Sequence, residues 1–329
     1  MISSMVQCVL CPRECKLAEG QRGDCLVRIH LDGKLQTLIY GKPCARHIDP
    51  IEKKPLFHFL PGSLAYSIAT AGCNLHCKYC QNWEISQRAP EETANIDLPP
   101  RKMVAEAVGA QCWSIAYTYS EPIVFYEYVM DTAALARERD IKNVLVTAGY
   151  INPLPQKELC QVIDAANVDL KGFTEAFYRE VCSGSLKPVL DALVLFKEEG
   201  VWLEVTNLVL PTLNDDVVHI REMCRWMSRN LGDDVPLHFS RFHPRYRLKN
   251  LPPTPREILD RARETALEVG LKYVYVGNVP GHPGNSTYCP HDGKVLIQRK
   301  GYSLLQHHII DGKCEFCGEP IPGVWDGSL

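Results

Sequence analysis

Three cysteines at x3 and x2 spacing, Cys73, Cys77 and Cys80, follow directly on a short apolar run at 65–70. This loop constrains the chain more than any other feature. Thiolates so placed at the end of a strand can hold three irons of a [4Fe–4S] cube. No fourth cysteine follows nearby, which leaves one iron open to an external ligand. An amino-acid head group can chelate that iron through its amine and carboxylate, setting a sulfonium beside a reducing cluster. The competing reading is a zinc knuckle, with His76 or a distant cysteine as the fourth ligand of a closed tetrahedral site.

The chain has 15 cysteines in 329 residues. It shows no apolar run near the ~18 residues of a membrane span, and its start lacks an apolar signal core and cleavage pattern. These features predict a soluble cytoplasmic protein, where clustered cysteines indicate metal or redox chemistry rather than disulfides. A net charge of -3 with mixed signs speaks against a nucleic-acid footprint. Cys112, Cys160, Cys182 and Cys224 stand singly and read as small buried hydrophobes.

The pattern divides the chain into a cysteine-rich extension at 1–60, an α/β body at 61–280 and a second cysteine-bearing extension at 281–329. Alternation before and after Asp32-Gly33 predicts a hairpin in the first part. Short Val, Ile, Leu and Tyr runs at 65–70, 113–118, 143–147, 167–170, 201–210, 237–240 and 273–276 predict strands buried on both faces. Helical spacing lies between them, as at Val217, Ile220, Cys224, Met227 and Leu231, with Asn214 as the expected cap. Alternating strands and helices argue for a parallel sheet, open or closed partway into a barrel, with ligands at the carboxyl ends of the strands.

Cys73-x3-Cys77-x2-Cys80, with the aromatic Tyr79 before its last cysteine, resembles the radical S-adenosylmethionine (SAM) signature. The wider segment at 49–83 resembles the radical SAM member of the AmmeMemoRadiSam system, a group similar to the pyruvate formate-lyase activating enzymes. The resemblance implies a partial (β/α)6 radical SAM barrel, a [4Fe–4S] cluster and SAM as cofactors, and Tyr79 near the adenine. Thr118-Tyr119-Ser120-Glu121-Pro122 resembles a Gly-Gly-Glu-Pro segment that contacts the SAM amino group, with Tyr119 and Ser120 in place of the glycines. Val146 and Ala148 depart from an Asp-Thr-Asn-Gly segment. Asp169-Leu170-Lys171 matches the relatives' Asp-Leu-Lys and implies contacts to the SAM carboxylate and ribose. His243 aligns loosely with a substrate-side histidine. Thr206 and Asn207, polar within an apolar strand, need partners and are candidates for the SAM pocket.

Cys8, Cys11, Cys15 and Cys25 offer four thiolates, enough for zinc or an extra cluster. Cys289 with Asp292, and Cys314 with Cys317, read as two knuckles of a zinc-ribbon or rubredoxin-like site, zinc or an auxiliary cluster being the occupants. Asp292 or His291 supplies the fourth ligand, where the resemblance implies a cysteine. The expected function is a radical SAM enzyme that abstracts hydrogen from a small-molecule or protein substrate. A glycyl-radical activator is the near alternative, and a zinc-dependent RNA- or protein-binding module the distant one. Flavodoxin or ferredoxin is the expected electron donor. The resemblance adds Memo-like and Amme-like proteins as partners.

Overall fold

The computed structural model describes residues 5–326. Its centre is one eight-stranded sheet: β1 (Ala45–Pro50), β2 (Leu64–Ala69), β3 (Ser114–Tyr117), β4 (Lys142–Thr147), β5 (Ala165–Asp169), β6 (Trp202–Val209), β7 (Leu237–Arg241) and β8 (Val274–Gly277). The strands lie side by side in chain order. β2 to β8 are parallel, and β1 joins the β2 edge antiparallel, Ala45 opposite Ala69 and Pro50 opposite Leu64. β1 and β8 are the two edges, so the barrel stays open.

Six helices cover the outer face: α1 (Pro100–Gly109), α2 (Tyr126–Arg137), α3 (Pro153–Cys160), α4 (Leu186–Glu198), α5 (Val217–Asn230) and α6 (Arg256–Val269). On α5, Ile220, Met223, Cys224 and Met227 form the buried stripe, as the 3.6-residue period requires. Its cap is Asp216, whose side chain accepts from the amides of Val218 and His219. Asn214, the expected cap, is used elsewhere: its Oδ1 accepts from the Leu210 amide and its Nδ2 donates to the carbonyls of Lys171 and Leu208. A side chain already engaged in the preceding turn cannot also reach the helix amides.

The inner face is filled at its base by the connection from β1 to β2. Ile51, Leu56, Phe59 and Leu60 pack on Ala65, Ala116, Val144 and Ala165. Alanines on three strands let this irregular segment approach the sheet, and burying a side chain such as Phe59 contributes about 1.5–3 kcal/mol. The expected hairpin is Arg28–Leu31 paired with Lys34–Thr37. Asp32 and Gly33 take positive φ of 52° and 72°, as a two-residue hairpin turn demands. At the other end, Thr287–Tyr288, Val295–Lys300 and Ser303–His307 form a three-stranded sheet. It packs on Phe57, Tyr273 and Tyr275 under the barrel.

Candidate functional site

The carboxyl end of β2 runs into the Cys73–Cys80 loop. Its shape depends on Gly72, at φ 89°: a Cβ there would stand 2.5 Å from the Cys25 carbonyl oxygen. The loop is also held from the far side. The amides of His76 and Lys78 donate to the carbonyls of Cys182 and Val181, both at 2.9 Å. Cys77 and Tyr79 are buried, while Cys73 and Cys80 are partly open. Burial pushes the Cys73 thiol up, with the Glu121 carboxylate and the neighbouring Cys77 and Cys80 adding to the shift. The Cys80 Sγ lies 3.1 Å from Ser86 Oγ.

Glu121 is buried and its carboxylate is fixed. Thr147 Oγ1 donates at 2.5 Å, the Ala148 amide at 2.9 Å and the Ile123 amide at 3.2 Å. Burial raises its pKa, against the pull of these donors. Tyr119, where the resemblance has glycine, takes the left-handed φ of 63° itself. Its hydroxyl donates to Asp49, and Asn82 Nδ2 donates to its carbonyl at 2.7 Å. The chain thus makes the glycine-type turn with a tyrosine anchored in the barrel. Ser120 beside it has a buried Oγ without a partner.

Asp169 at the end of β5 pairs with Lys171 at 2.9 Å. Burial would lower the Lys171 pKa, but Asp169 and the nearby Cys77 and Cys182 sulfurs hold the ammonium well above its usual range. Lys171 also acts on Cys80 and Glu121, so a cation sits among the loop thiols and both carboxylates.

The remaining candidates divide. Thr206 lies on the inner face and donates to Asn167 Oδ1 at 2.9 Å. Asn207, the next residue of the strand, points to the opposite face, where its Nδ2 donates to the Leu170 carbonyl at 2.7 Å. It therefore braces the Asp169–Lys171 turn rather than lining the interior. His243 is exposed on the loop after β7. That loop does reach the cysteines: the Arg247 amide donates to the Lys78 carbonyl at 2.9 Å, and Tyr246 stacks on Trp83 with centroids 5.2 Å apart.

Sequence reasoning missed two groups. Cys182 is near the triad, 3.7 Å from the Tyr79 hydroxyl and in contact with Cys77. It acts on Cys77 and Tyr79, whereas Cys73 and Cys80 feel each other's loop, Glu121, Lys171 and Ser86. Its only sequence signal was the absence of anything around it. The second group is inside the barrel: Lys54, 2% exposed, donates to Asp49 Oδ2 at 2.7 Å and Ser67 Oγ at 2.5 Å. Burial brings the Lys54 pKa down to about 8.

In the C-terminal extension Cys289, Asp292, Cys314 and Cys317 converge, with all ligand atoms within 4.8 Å of one another. His291 is exposed and lies outside that set, which makes Asp292 the fourth candidate ligand. The Cys289 and Cys317 sulfurs are 3.6 Å apart. Around one zinc ion with Zn–S of ≈ 2.3 Å, tetrahedral sulfurs stand about 3.8 Å apart. The site therefore fits a single ion. Cys8, Cys11, Cys15 and Cys25 line one cavity in the N-terminal extension.

The residues at the barrel's open end fit the cofactors of the resemblance: three loop thiols, a fixed carboxylate, a buried cation and the unpartnered Ser120 hydroxyl. Among the described residues, no helix is long and apolar enough to cross a membrane. The sequence pattern of the radical SAM superfamily matches residues 67–224. The uncharacterized protein MJ0808 of Methanocaldococcus jannaschii is 46% identical over 96% of this chain and 95% of its own. The pyruvate formate-lyase-activating enzyme of Clostridium pasteurianum is 23% identical over 61% of this chain and 87% of its own. A radical SAM methyltransferase from Sphaerobacter thermophilus shares the fold, with a TM-score of 0.54, 16% identity, and coverage of 72% of this chain and 71% of that one. With the cysteine loop at the end of β2 and these likenesses in hand, the chain belongs to the radical SAM superfamily.

Proposed function

We propose that the protein is a SAM-dependent hydrogen-abstracting enzyme of the AmmeMemoRadiSam kind. The observation that carries this reading is the convergence of the Cys73, Cys77 and Cys80 thiols with Glu121 and Lys171 at one end of the barrel. Cys73, Cys77 and Cys80 would hold a [4Fe–4S] cluster, which would supply the electron for reductive cleavage of SAM ahead of hydrogen abstraction from the substrate. The chain's own residues bind and orient. Glu121, already locked by three donors, accepts from the SAM ammonium. Lys171 and Asp169 would hold its carboxylate and ribose, and Tyr79 would pack near its adenine. Ser120 offers its free hydroxyl to the same ligand.

An electron donor of flavodoxin or ferredoxin type, and Memo-like and Amme-like partners, belong to this proposal through the resemblance of residues 49–83. Similarity to a pyruvate formate-lyase-activating enzyme favours a second reading, in which a protein glycyl residue is the hydrogen donor. A persistent radical on a co-purified protein would select it.

The test is anaerobic reconstitution with iron and sulfide, then reduction with SAM present. The expected products are 5'-deoxyadenosine and methionine, lost on Cys80→Ala. A reconstituted protein that holds zinc at Cys73, Cys77 and Cys80 and cleaves no SAM would overturn the reading in favour of a zinc-dependent binding module.

A further inference from the structure

The N-terminal cysteines have no part in the chemistry above. Cys8, Cys11 and Cys15 sit between two short paired strands, Val6–Gln7 and Lys16–Leu17. The Cys8 amide donates to the Cys15 carbonyl at 2.9 Å. Glu14, at φ 45°, turns the chain back. Cys25 comes from the turn before the hairpin, and all four thiols line a single cavity. Gly23 lies beside Cys15 on the wall of the cavity.

One further side chain on this cavity, Arg28, points to an anionic occupant with acceptor atoms of its own. Arg28 is 6% exposed. Its terminal nitrogen is taken by Glu127 at 2.7 and 2.8 Å, while its Nε–H is buried without a partner. Ile123 and Val124 complete an apolar wall. A polynuclear iron–sulfur cluster with four thiolates carries net negative charge and acceptor sulfides, and hydrogen bonds to its sulfurs tune it.

The spacing of the thiols separates a cluster from a single ion. Among the described residues, the C-terminal set is the one group whose ligand atoms all fall within 4.8 Å of one another. In neither the N-terminal set nor the Cys73, Cys77 and Cys80 set do three ligand atoms all fall within that distance. A cube places its thiolates on four different irons, so its sulfurs stand farther apart than around one ion.

The cavity also abuts the catalytic loop. Asn74 follows Cys73 directly. Arg13 Nε donates to the Asn74 carbonyl at 2.9 Å and pairs with Asp24 at 3.0 Å. Asp24, next to Cys25, also meets His76 at 2.9 Å. Gly72 touches the Cys25 carbonyl.

We infer that Cys8, Cys11, Cys15 and Cys25 hold a second [4Fe–4S] cluster, capped by protein thiolates at all four irons. It passes single electrons from a low-potential one-electron donor protein to the Cys73 loop. In each step the donor is oxidised by one electron and the second cluster reduced by one. The cluster then returns to its oxidised state as the electron moves on, and no bond forms or breaks. The relay role rests on the proposed function; the occupancy of the site does not.

The test uses the full chain reconstituted anaerobically. The triple variant Cys73→Ala, Cys77→Ala, Cys80→Ala should retain about four irons and four sulfides. Once reduced, its paramagnetic signal should not change when SAM is added. Zinc without iron in this variant would overturn the inference, as would a SAM-dependent change of the signal. Because single thiol losses can unfold a small extension, a second measurement stands beside it. The variant Cys11→Ala, Cys25→Ala should keep the central cluster and cleave SAM with dithionite. With reduced flavodoxin as donor, its rate should fall roughly 10-fold or more; equal rates with both donors would sink the relay. Iron at the central loop with zinc at the N-terminal set would defeat this inference and leave the proposed function standing. Iron only at the N-terminal set would do the reverse.

Discussion

Glu121 shows how one side chain is prepared for a charged ligand. Its two oxygens take hydrogen bonds from Thr147, Ala148 and Ile123, so it loses little freedom when a cation arrives. Charged hydrogen bonds are worth about 1.5–3 kcal/mol. Glu121→Gln keeps the shape and removes the charge, and should weaken SAM binding roughly 10- to 100-fold with iron content unchanged. Equilibrium binding on the oxidised protein measures this, and equal affinity would remove Glu121 from the SAM site. Its place just after a strand end, where ligands gather in such folds, was legible in the sequence. Tyr119 was less so. The resemblance marked the replaced glycine, but not that the tyrosine takes the left-handed turn itself with its hydroxyl anchored on Asp49, 70 residues away. Asn207, open in the sequence between the SAM pocket and a backbone partner, lies on the face opposite Thr206 because adjacent strand residues alternate, and it meets the Leu170 carbonyl.

At the level of elements, the seven parallel strands were readable because each is largely buried and carries a short run of apolar residues. The segment between β1 and β2 was not, since it follows neither a helical nor a strand period. It is held by inward polar groups. Glu204 on β6 accepts from the amides of Phe57 and His58 and from His238 Nε2, at 2.6–3.0 Å. Buried carboxylates with such sets of partners announce themselves only once the strand's inner face is known. His58 completes the base: its Nδ1 is 2.7 Å from the Pro322 carbonyl and its Nε2 is 2.6 Å from the Tyr275 hydroxyl, a pattern suited to the neutral ring. Burial lowers its pKa from 6.5 to about 4, with Arg299 and His238 acting in the same direction and Glu204 opposing them. The unfolded chain therefore binds a proton on this ring between pH 6.5 and 4 while the folded chain does not. Its contribution to stability is whole above pH 6.5 and is lost as pH falls through that window. At pH 5 the loss is about 2 kcal/mol. Urea unfolding at pH 7 and pH 5 should show it, and His58→Gln should be less stable at pH 7 yet lose about 2 kcal/mol less between the two pH values. An unchanged slope in that variant would assign the acid sensitivity to other groups.

Across the whole molecule, the C-terminal extension closes the barrel end opposite the cysteine loop. Arg299 reaches under the sheet, donating to the Phe57 carbonyl and Thr287 Oγ1, both at 2.8 Å. The Val324 amide donates to the His58 carbonyl, and the Leu60 amide to the Val324 carbonyl, both at 2.7 Å. Trp325 lies 5.1 Å from the His58 ring. These contacts depend on a small three-stranded sheet with little core of its own, and domains of that size usually need a metal or other staple. The Cys289, Asp292, Cys314 and Cys317 set is placed to be that staple. Cys317 is exposed, so Cys317→Ser tests the ion without opening a cavity. The variant should bind one metal ion fewer and melt several degrees lower. Its amides at 58–62 should exchange faster with deuterium, because the strap across the barrel base is released. Iron at the cysteine loop should be unaffected, since the two sites act at opposite ends of the barrel. Loss of the ion with no change in exchange at 58–62 would mean that the extension holds the base without metal. Loss of cluster iron as well would mean that the two ends are coupled through the sheet.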